Sequence, residues 1–320
     1  MGRRVTTVAY LGPEGTFTHE AVRGWGRRSG ETVVERPLDT VAQVHDAVAS
    51  GAADRGVVAI ESSVEGYVVP SLDALVGSAG VVAVDEVVLP VSFDAFVRPG
   101  HGELTEAVAH PHGLAQVSRF VAERGLRPVP APSNAAACRD VAAHQVAFGP
   151  RLCGELYGLE RLASAVEDVG GARTRFLVLA RRDEAAAVLA QAREQGASVA
   201  AQWRTMLAIT PVVTGPGVLA RVTAAFGERG VNMSSLVTRP LKARALQYVF
   251  VVTLDAAPWA PSVRGLLQDL LAAGDSLKTL GAYPAQPGDG GLDGVLPDHV
   301  PVAGVVAGDD AEAQARGLLW

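Results

Sequence analysis

In the N-terminal part of the chain, apolar residues switch repeatedly between short continuous runs and helical spacing. Residues 5–11 (VTTVAYL) predict a strand, and Phe17, Ala21, Val22 and Trp25 then fall three or four apart, the spacing of one helix face. "GPEGTF" (12–17) is the turn between them. Residues 33–35 predict a short strand, Val41, Val44 and Val48 a second helix, and "GVVAIE" (56–61) a buried strand. Strands that alternate with helices in this way predict an α/β region built on a parallel sheet. The pattern starts again at residue 81. "VVAVDEVVLPVSFDAFV" (81–97) has long strand character, and Leu114, Val117, Phe120 and Val121 mark a helix. Strands follow near 127–131 and 145–148, with a helix over 135–143 between them and another in "PRLCGELYG" (150–158). Two such units predict two lobes, with crossings placed at Pro90 and at the strand 176–180.

Residues 183–202, rich in Ala, Gln and Glu, predict a helical linker. The composition then shifts. "TMLAITPVV" predicts a strand, "GPGVLARVTAAFGERG" a helix and "VNMSSLVTRP" a strand. "ALQYVFVVTLD" predicts a further strand, "PSVRGLLQDLLAAG" a helix and "LKTLGAYP" a last strand. The order βαββαβ is ferredoxin-like. Beyond Pro284, Gly, Pro, Asp and Ala dominate without periodicity, which predicts a mostly disordered tail over 285–320.

With 320 residues, 48% of them hydrophobic, the chain has material for two or three domains. A net charge of −6 with scattered basic residues argues against a nucleic-acid partner. Two cysteines, Cys138 and Cys153, fit a reducing cytoplasm, and both fall on apolar helix faces that predict core. "MGRRVTTVAY" lacks the long apolar region of a signal peptide, and no run of about 18 apolar residues predicts a membrane span.

The candidate chemistry sits in "DVGGARTRFLVLARR" (168–182). Two glycines are followed by Arg173, Thr174 and Arg175 at the mouth of a predicted strand. Two charges and a hydroxyl there suit a site that holds an anion and offers a proton. Arg175 has the forked cation that grips a carboxylate bidentately, with a structural ion pair as its plain alternative. Thr174 is the candidate proton donor, with a strand cap as its alternative. Arg173 predicts a solvated or bridging charge and Phe176, on the opposite face to Arg175, core. The "GPEGTF" turn ahead of a helix favours an anion, and Thr16 caps that helix or contacts substrate. Its glycines match no nucleotide-binding spacing. Gln116, on the first turn of a helix, and Ser133–Asn134, at another helix start, have caps or surface positions as their plain reading. His110 and His112 have no metal-ligand spacing.

These segments carry a resemblance. "VAYLGPEGTFTHEAV" (8–22), "AIESSVEGYVVPSLDAL" (59–75), "HPHGLAQVSRF" (110–120), "SNAAA" (133–137), "ELYGL" (155–159) and "TRF" (174–176) resemble the motifs of the prephenate dehydratase family, in the family's order. "GPGVL" (215–219), "RGVNMSSLVTRPLK" (229–242) and "QYVFVVTLD" (247–255) resemble an ACT domain. The resemblance implies a catalytic region over 5–182 with two α/β lobes like those of periplasmic binding proteins, then a linker, then an ACT domain over 203–284. It implies conversion of prephenate to phenylpyruvate, carbon dioxide and water, without cofactor or metal, with feedback by phenylalanine, in a cytoplasmic dimer or tetramer. It places Thr16, Ser62, Ser63, Gln116 and Ser133 with Arg175 around the substrate and Thr174 as the acid. It places Gly217, Val218, Leu219, Thr238, Arg239 and Pro240 around an amino-acid effector.

Three departures alter the pocket. The family's E-N-S reads Glu61-Ser62-Ser63, the serine before H-P is Ala109, and N-x-T-R-F begins with Ala172. In the ACT segment the family's glutamate is Val237, which predicts weak or no phenylalanine control. Two other readings follow: a decarboxylase that keeps the ring hydroxyl and does not aromatise, and a non-catalytic ligand sensor.

Overall fold

The computed structural model describes residues 4–196, 202–241 and 247–286. Strand β1 (Val5–Leu11) leads into helix α1 (Phe17–Ser29), followed by β2 (Thr32–Leu38), α2 (Val41–Ala49), β3 (Arg55–Ser62), β4 (Gly66–Tyr67), α3 (Val69–Gly77) and β5 (Val81–Pro90). The chain then builds a second lobe. It comprises β6 (Asp94–Val97), β7 (Glu106–Ala109), α4 (Pro111–Gln116), α5 (Ser118–Glu123), β8 (Arg127–Pro130), α6 (Asn134–Asp140), β9 (Gln145–Gly149), α7 (Leu152–Tyr157) and β10 (Glu160–Ala163). Strand β11 (Arg173–Arg181) returns to the first lobe and runs into α8 (Arg182–Gly196). The last module is β12 (Trp203–Thr210), α9 (Val218–Glu228), β13 (Met233–Pro240), β14 (Tyr248–Leu254), α10 (Pro261–Ala272) and β15 (Ser276–Pro284).

This is an α/β fold with mixed sheets. In the first lobe β2, β1 and β3 pair in parallel, and β11 lies antiparallel between β3 and β5. The second lobe holds a five-stranded sheet in the order β10-β6-β9-β7-β8. The last module pairs antiparallel throughout in the order β13-β14-β12-β15, the ferredoxin-like topology. Its β15 meets β5 in parallel at one registered pair, Gly281 with Ala83. A Cβ on Gly281 would lie 2.7 Å from that of Ala83, so glycine permits the close approach that joins the two sheets.

Alternation along β11 separates two cores. Phe176 and Val178 pack with Val8, Tyr10, Val22 and Trp25 beneath α1. Leu177 and Leu179 point the other way, into a core shared by α2, α3 and one face of the last module, including Met206, Val251 and Tyr283. The module's other face packs under α9 and α10 through Val222, Phe226, Leu266 and Leu270.

Several sequence expectations change here. The apolar run 81–97 is two strands, because residues 91–93 carry the chain from one lobe to the other. The return crossing is 164–172, not 176–180, which lies inside β11. The two crossings are hydrogen-bonded to each other. Val91 N donates to Ala172 O at 2.7 Å and Val166 N to Phe93 O at 2.9 Å. The helix expected around 114–121 breaks at Val117 into α4 and α5, so Gln116 ends α4 instead of opening a helix. Strands β7 and β10, four residues each, give too little alternation to be seen in sequence. The tail beyond Gln286 and residues 197–201 of the expected linker lie outside the described residues.

His45 of α2 is buried, and neither ring nitrogen has a hydrogen-bond partner. Burial pulls its pKa down to about 4; the Lys278 ammonium adds to this, and Asp46 opposes it. The fold therefore holds the neutral ring while the unfolded chain protonates near pH 6.5. The stabilisation is whole above about pH 6.5 and is lost as pH falls towards about 4. The shift corresponds to roughly 3 kcal/mol. Urea melts at pH 7 and pH 4 should show the stability of His45→Leu falling less than that of the wild type by about this amount. Equal pH slopes would remove His45 as the cause.

Candidate active site

The ends of the strands determine which residues can meet. In the first lobe β1, β3 and β5 run in one direction and β11 runs against them, so Leu11, Ser62, Pro90 and the start of β11 share the carboxyl edge of the parallel strands. In the second lobe β7, β8 and β9 are parallel, so the segments leading into α4, α6 and α7 share one edge. The two edges touch. Cys153 Sγ of α7 lies 3.2 Å from Gly15 O, Tyr157 donates its hydroxyl to Glu14 O at 2.6 Å, and Leu152 N donates to Glu20 Oε1 at 3.3 Å. Phe17 packs into the cores of both lobes and meets Phe93 edge-on at 5.4 Å. The carboxyl ends of the strands, where open α/β sheets bind ligands, therefore meet between the two lobes.

Thr174 is the second residue of β11 and half-buried at this edge. It lies across from Ser62 on β3 and Leu89 on β5, on the face shared with Phe176. Ser62 Oγ accepts from Val64 N at 3.2 Å and Glu65 N at 3.3 Å, which closes the turn towards β4 and leaves its proton to donate. Ser63 is committed to the backbone. Its Oγ accepts from Arg173 N and its N–H donates to Arg173 O, both at 2.9 Å.

The "GPEGT" turn is held from below by a residue that sequence reasoning passed over. His19 is wholly buried in α1 and accepts from Gly15 N through Nδ1 at 3.0 Å. The proton is therefore on Nε2, 2.8 Å from Glu35 Oε2. Arg23 holds the same carboxylate at 2.8 Å. Burial works to raise the pKa of Glu35, yet hydrogen bonds from Arg23 and His19 keep it below the ordinary glutamate value. Thr16 caps α1, accepting from His19 N at 3.2 Å. The signal in sequence was a histidine two residues into a helix behind a glycine turn, a position with no surface role.

Ser133 caps α6, accepting from Ala136 N at 3.0 Å, and Asn134 Oδ1 accepts from His110 N at 2.9 Å. Gln116 O accepts from Asp168 N at 2.6 Å, which ties α4 to the crossing that leads to Thr174. Burial works to raise the Asp168 pKa, but hydrogen bonds from Ser118 and Arg119 hold it below the ordinary aspartate value. Among the described residues, no group of His, Cys, Asp and Glu could hold a metal ion.

Of the two readings of Arg175, the geometry matches the ion pair. Strand alternation turns it away from Thr174 to the other face, where it is 3% exposed. Its Nη1 lies 3.2 Å from Glu61 Oε2 and its Nε 3.4 Å from Glu86 Oε2. A guanidinium buried between two carboxylates of its own chain has the geometry of the structural ion pair that the sequence left as the alternative.

Of the effector candidates, Gly217 (φ 85°), Val218 and Leu219 form the start of α9, with Val218 buried and Leu219 exposed. Thr238 and Pro240 are exposed on β13. Arg239 reaches α3 instead, with Nε 2.8 Å and Nη2 3.0 Å from the two Asp73 oxygens.

A family model described as prephenate dehydratase matches residues 8–184. A prephenate dehydratase of Mycobacterium sp. (strain JLS) is 34% identical over 290 residues, covering 87% of this chain and 88% of that protein. Among solved structures, a protein described as GqqA, a novel type of quorum quenching acylase, aligns with a TM-score of 0.74 at 28% identity, covering 88% of this chain and 98% of that one. The prephenate dehydratase of Arthrobacter aurescens in complex with L-Phe aligns with a TM-score of 0.72 at 27% identity, covering 89% of this chain and 94% of that one.

Proposed function

The chain belongs to the prephenate dehydratase family, a family of lyases, and from that premise we propose how its own residues act. The substrate is prephenate, a dianion with a tertiary ring hydroxyl. As the ring carboxylate leaves as carbon dioxide, its bonding electrons move into the ring and expel hydroxide, and the ring becomes aromatic. Hydroxide leaves poorly, so the step needs a hydrogen-bond donor at the departing oxygen and no electron sink. Thr174 is that donor, and general acids contribute about 10²–10⁴-fold. The observation that supports it is the pairing of Thr174 with Ser62 at the strand edge that faces the second lobe.

With Arg175 turned away, the substrate carboxylates fall to the start of α1, whose first N–H groups and dipole suit an anion, and to the hydroxyls of Thr16, Ser62 and Ser133. Gln116, through its tie to Asp168, lines the second-lobe side. Residues 5–182 are the catalytic region and 203–284 an ACT domain, in a cytoplasmic enzyme of phenylalanine biosynthesis. The exposed apolar residues Val212, Val213 and Leu219 support assembly of two or four copies. The relative from Arthrobacter aurescens was solved with L-Phe, but here Val237 supplies no carboxylate and Arg239 is engaged by Asp73, which favours weak control by phenylalanine.

One assay tests the reading. The purified chain incubated with prephenate should release phenylpyruvate, followed by absorbance and mass, with little inhibition when phenylalanine is added. A dihydro-hydroxyphenylpyruvate would instead establish a non-aromatising decarboxylase. No turnover would leave the cleft a sensor or the site of another reaction.

A further inference from the structure

The joint between the first lobe and the last module contains a buried row of charges that the reaction described above does not use. Glu86 on β5 has no exposed surface. Its Oε1 lies 2.8 Å from Arg204 Nη1 and accepts from Gln286 N at 3.0 Å. Its Oε2 lies 3.4 Å from Arg175 Nε, and Arg175 reaches on to Glu61. Arg204 belongs to β12 and Gln286 follows β15, so both come from the last module. Arg175 is the residue after Thr174, and Glu61 the residue before Ser62. The far end of the row therefore holds the two strands that carry the cleft hydroxyls, each one residue from its hydroxyl.

The strand pairing between the modules is short, with the single registered pair Gly281–Ala83 between β15 and β5. Two phenols flank the row. Tyr283 is wholly buried, and burial with the nearby Glu86 charge pushes its pKa well up. Tyr67 donates its hydroxyl to Ser235 Oγ of β13 at 2.7 Å, and burial raises its pKa too. A buried carboxylate between guanidiniums is costly to desolvate, and an apolar filling often stabilises as well. What such a row supplies is a fixed register between its members.

We propose that Glu86 and Arg204 are positioning residues: held from the last module, they fix Arg175 and through it the placement of the Thr174 hydroxyl. The proposal rests on Thr174 as the donor, and its test separates the two. In the full-length chain, Glu86→Gln keeps shape and removes the charge. It should lower kcat about 10-fold with KM within about twofold, and Arg204→Lys should retain more activity than Arg204→Met. The second readout is a double-mutant cycle with Thr174→Val. If Glu86 acts through Thr174, Glu86→Gln should change kcat less than about twofold in the valine background.

Asp73→Asn, which breaks the Arg239 pair at the same joint, serves as the control and should leave kcat within about twofold. If Glu86→Gln does not fold, the Arg204 pair of variants carries the same cycle. A folded Glu86→Gln enzyme with wild-type kcat would overturn the positioning role, as would a full loss repeated in the Thr174→Val background or an equal loss in Asp73→Asn. A Thr174→Val enzyme at near wild-type rate would overturn the donor assignment, independently of the kcat of Glu86→Gln.

Discussion

Thr174→Val should lower kcat for phenylpyruvate formation by about 10²-fold or more, the low end of what a general acid contributes. The substitution is nearly isosteric and removes only the donor. Valine suits a strand position flanked by Ser62 and Leu89, so the melting temperature should hardly move. Thr174→Ser keeps the hydroxyl and should retain much of the activity, losing something to a looser rotamer. The pair of variants separates donation from volume. It also bears on the chemistry, because a decarboxylase that leaves the ring hydroxyl in place has no use for a donor there. Steady-state kinetics on folded protein settles the matter. A valine variant that makes phenylpyruvate at near wild-type rate would leave Thr174 as a strand residue and send the proton to another donor.

The parts of this site that were legible in sequence are those set by short-range rules. A threonine at a strand mouth, a glycine turn feeding a helix and a serine before "NAAA" each declare a local geometry, and the structure has Thr16 and Ser133 as helix caps. Strand and helix alternation likewise gave the α/β order and the βαββαβ module, because each period is written in consecutive residues. The crossings were harder. Apolar residues run on from Val87 to Phe96, broken only by Ser92 and Asp94, while the chain changes lobes, since Val87 is buried in one lobe and Phe93 in the other. His19 was missed because its value lies in a partner sixteen positions away, Glu35, and in a backbone N–H, neither of which leaves a spacing signal. The ion pairs of Arg175 were hidden for the same reason. Alternation alone turns it opposite to Thr174, but only the packing of a distant module on that face shows that the face is closed.

Arg175→Met should therefore cost stability first. Removing one member of a buried ion pair leaves its partners uncompensated, at about 3–5 kcal/mol. Glu86, with no exposed surface, would keep Arg204 but lose the cation on its other oxygen, and Glu61 would lose the Arg175 cation across the strand. Against a typical total of about 5–15 kcal/mol, that loss is large enough to unfold part of the population at working temperature. Arg175→Lys keeps the charge but offers one ammonium in place of a fork, so it should bind one carboxylate well and the other poorly, and fall between wild type and methionine. Urea denaturation at constant m-value gives the stability, and kinetics on the folded lysine variant gives the rest. The expected pattern is a lower midpoint and a reduced kcat with KM within about twofold. This is the opposite of the behaviour of a residue that grips substrate, where KM rises and the midpoint stays. A lysine variant with an unchanged midpoint and a KM raised about 10-fold would return Arg175 to the substrate, since one charged hydrogen bond is worth about 1.5–3 kcal/mol. That outcome would also require the ion pairs with Glu61 and Glu86 to open when prephenate binds.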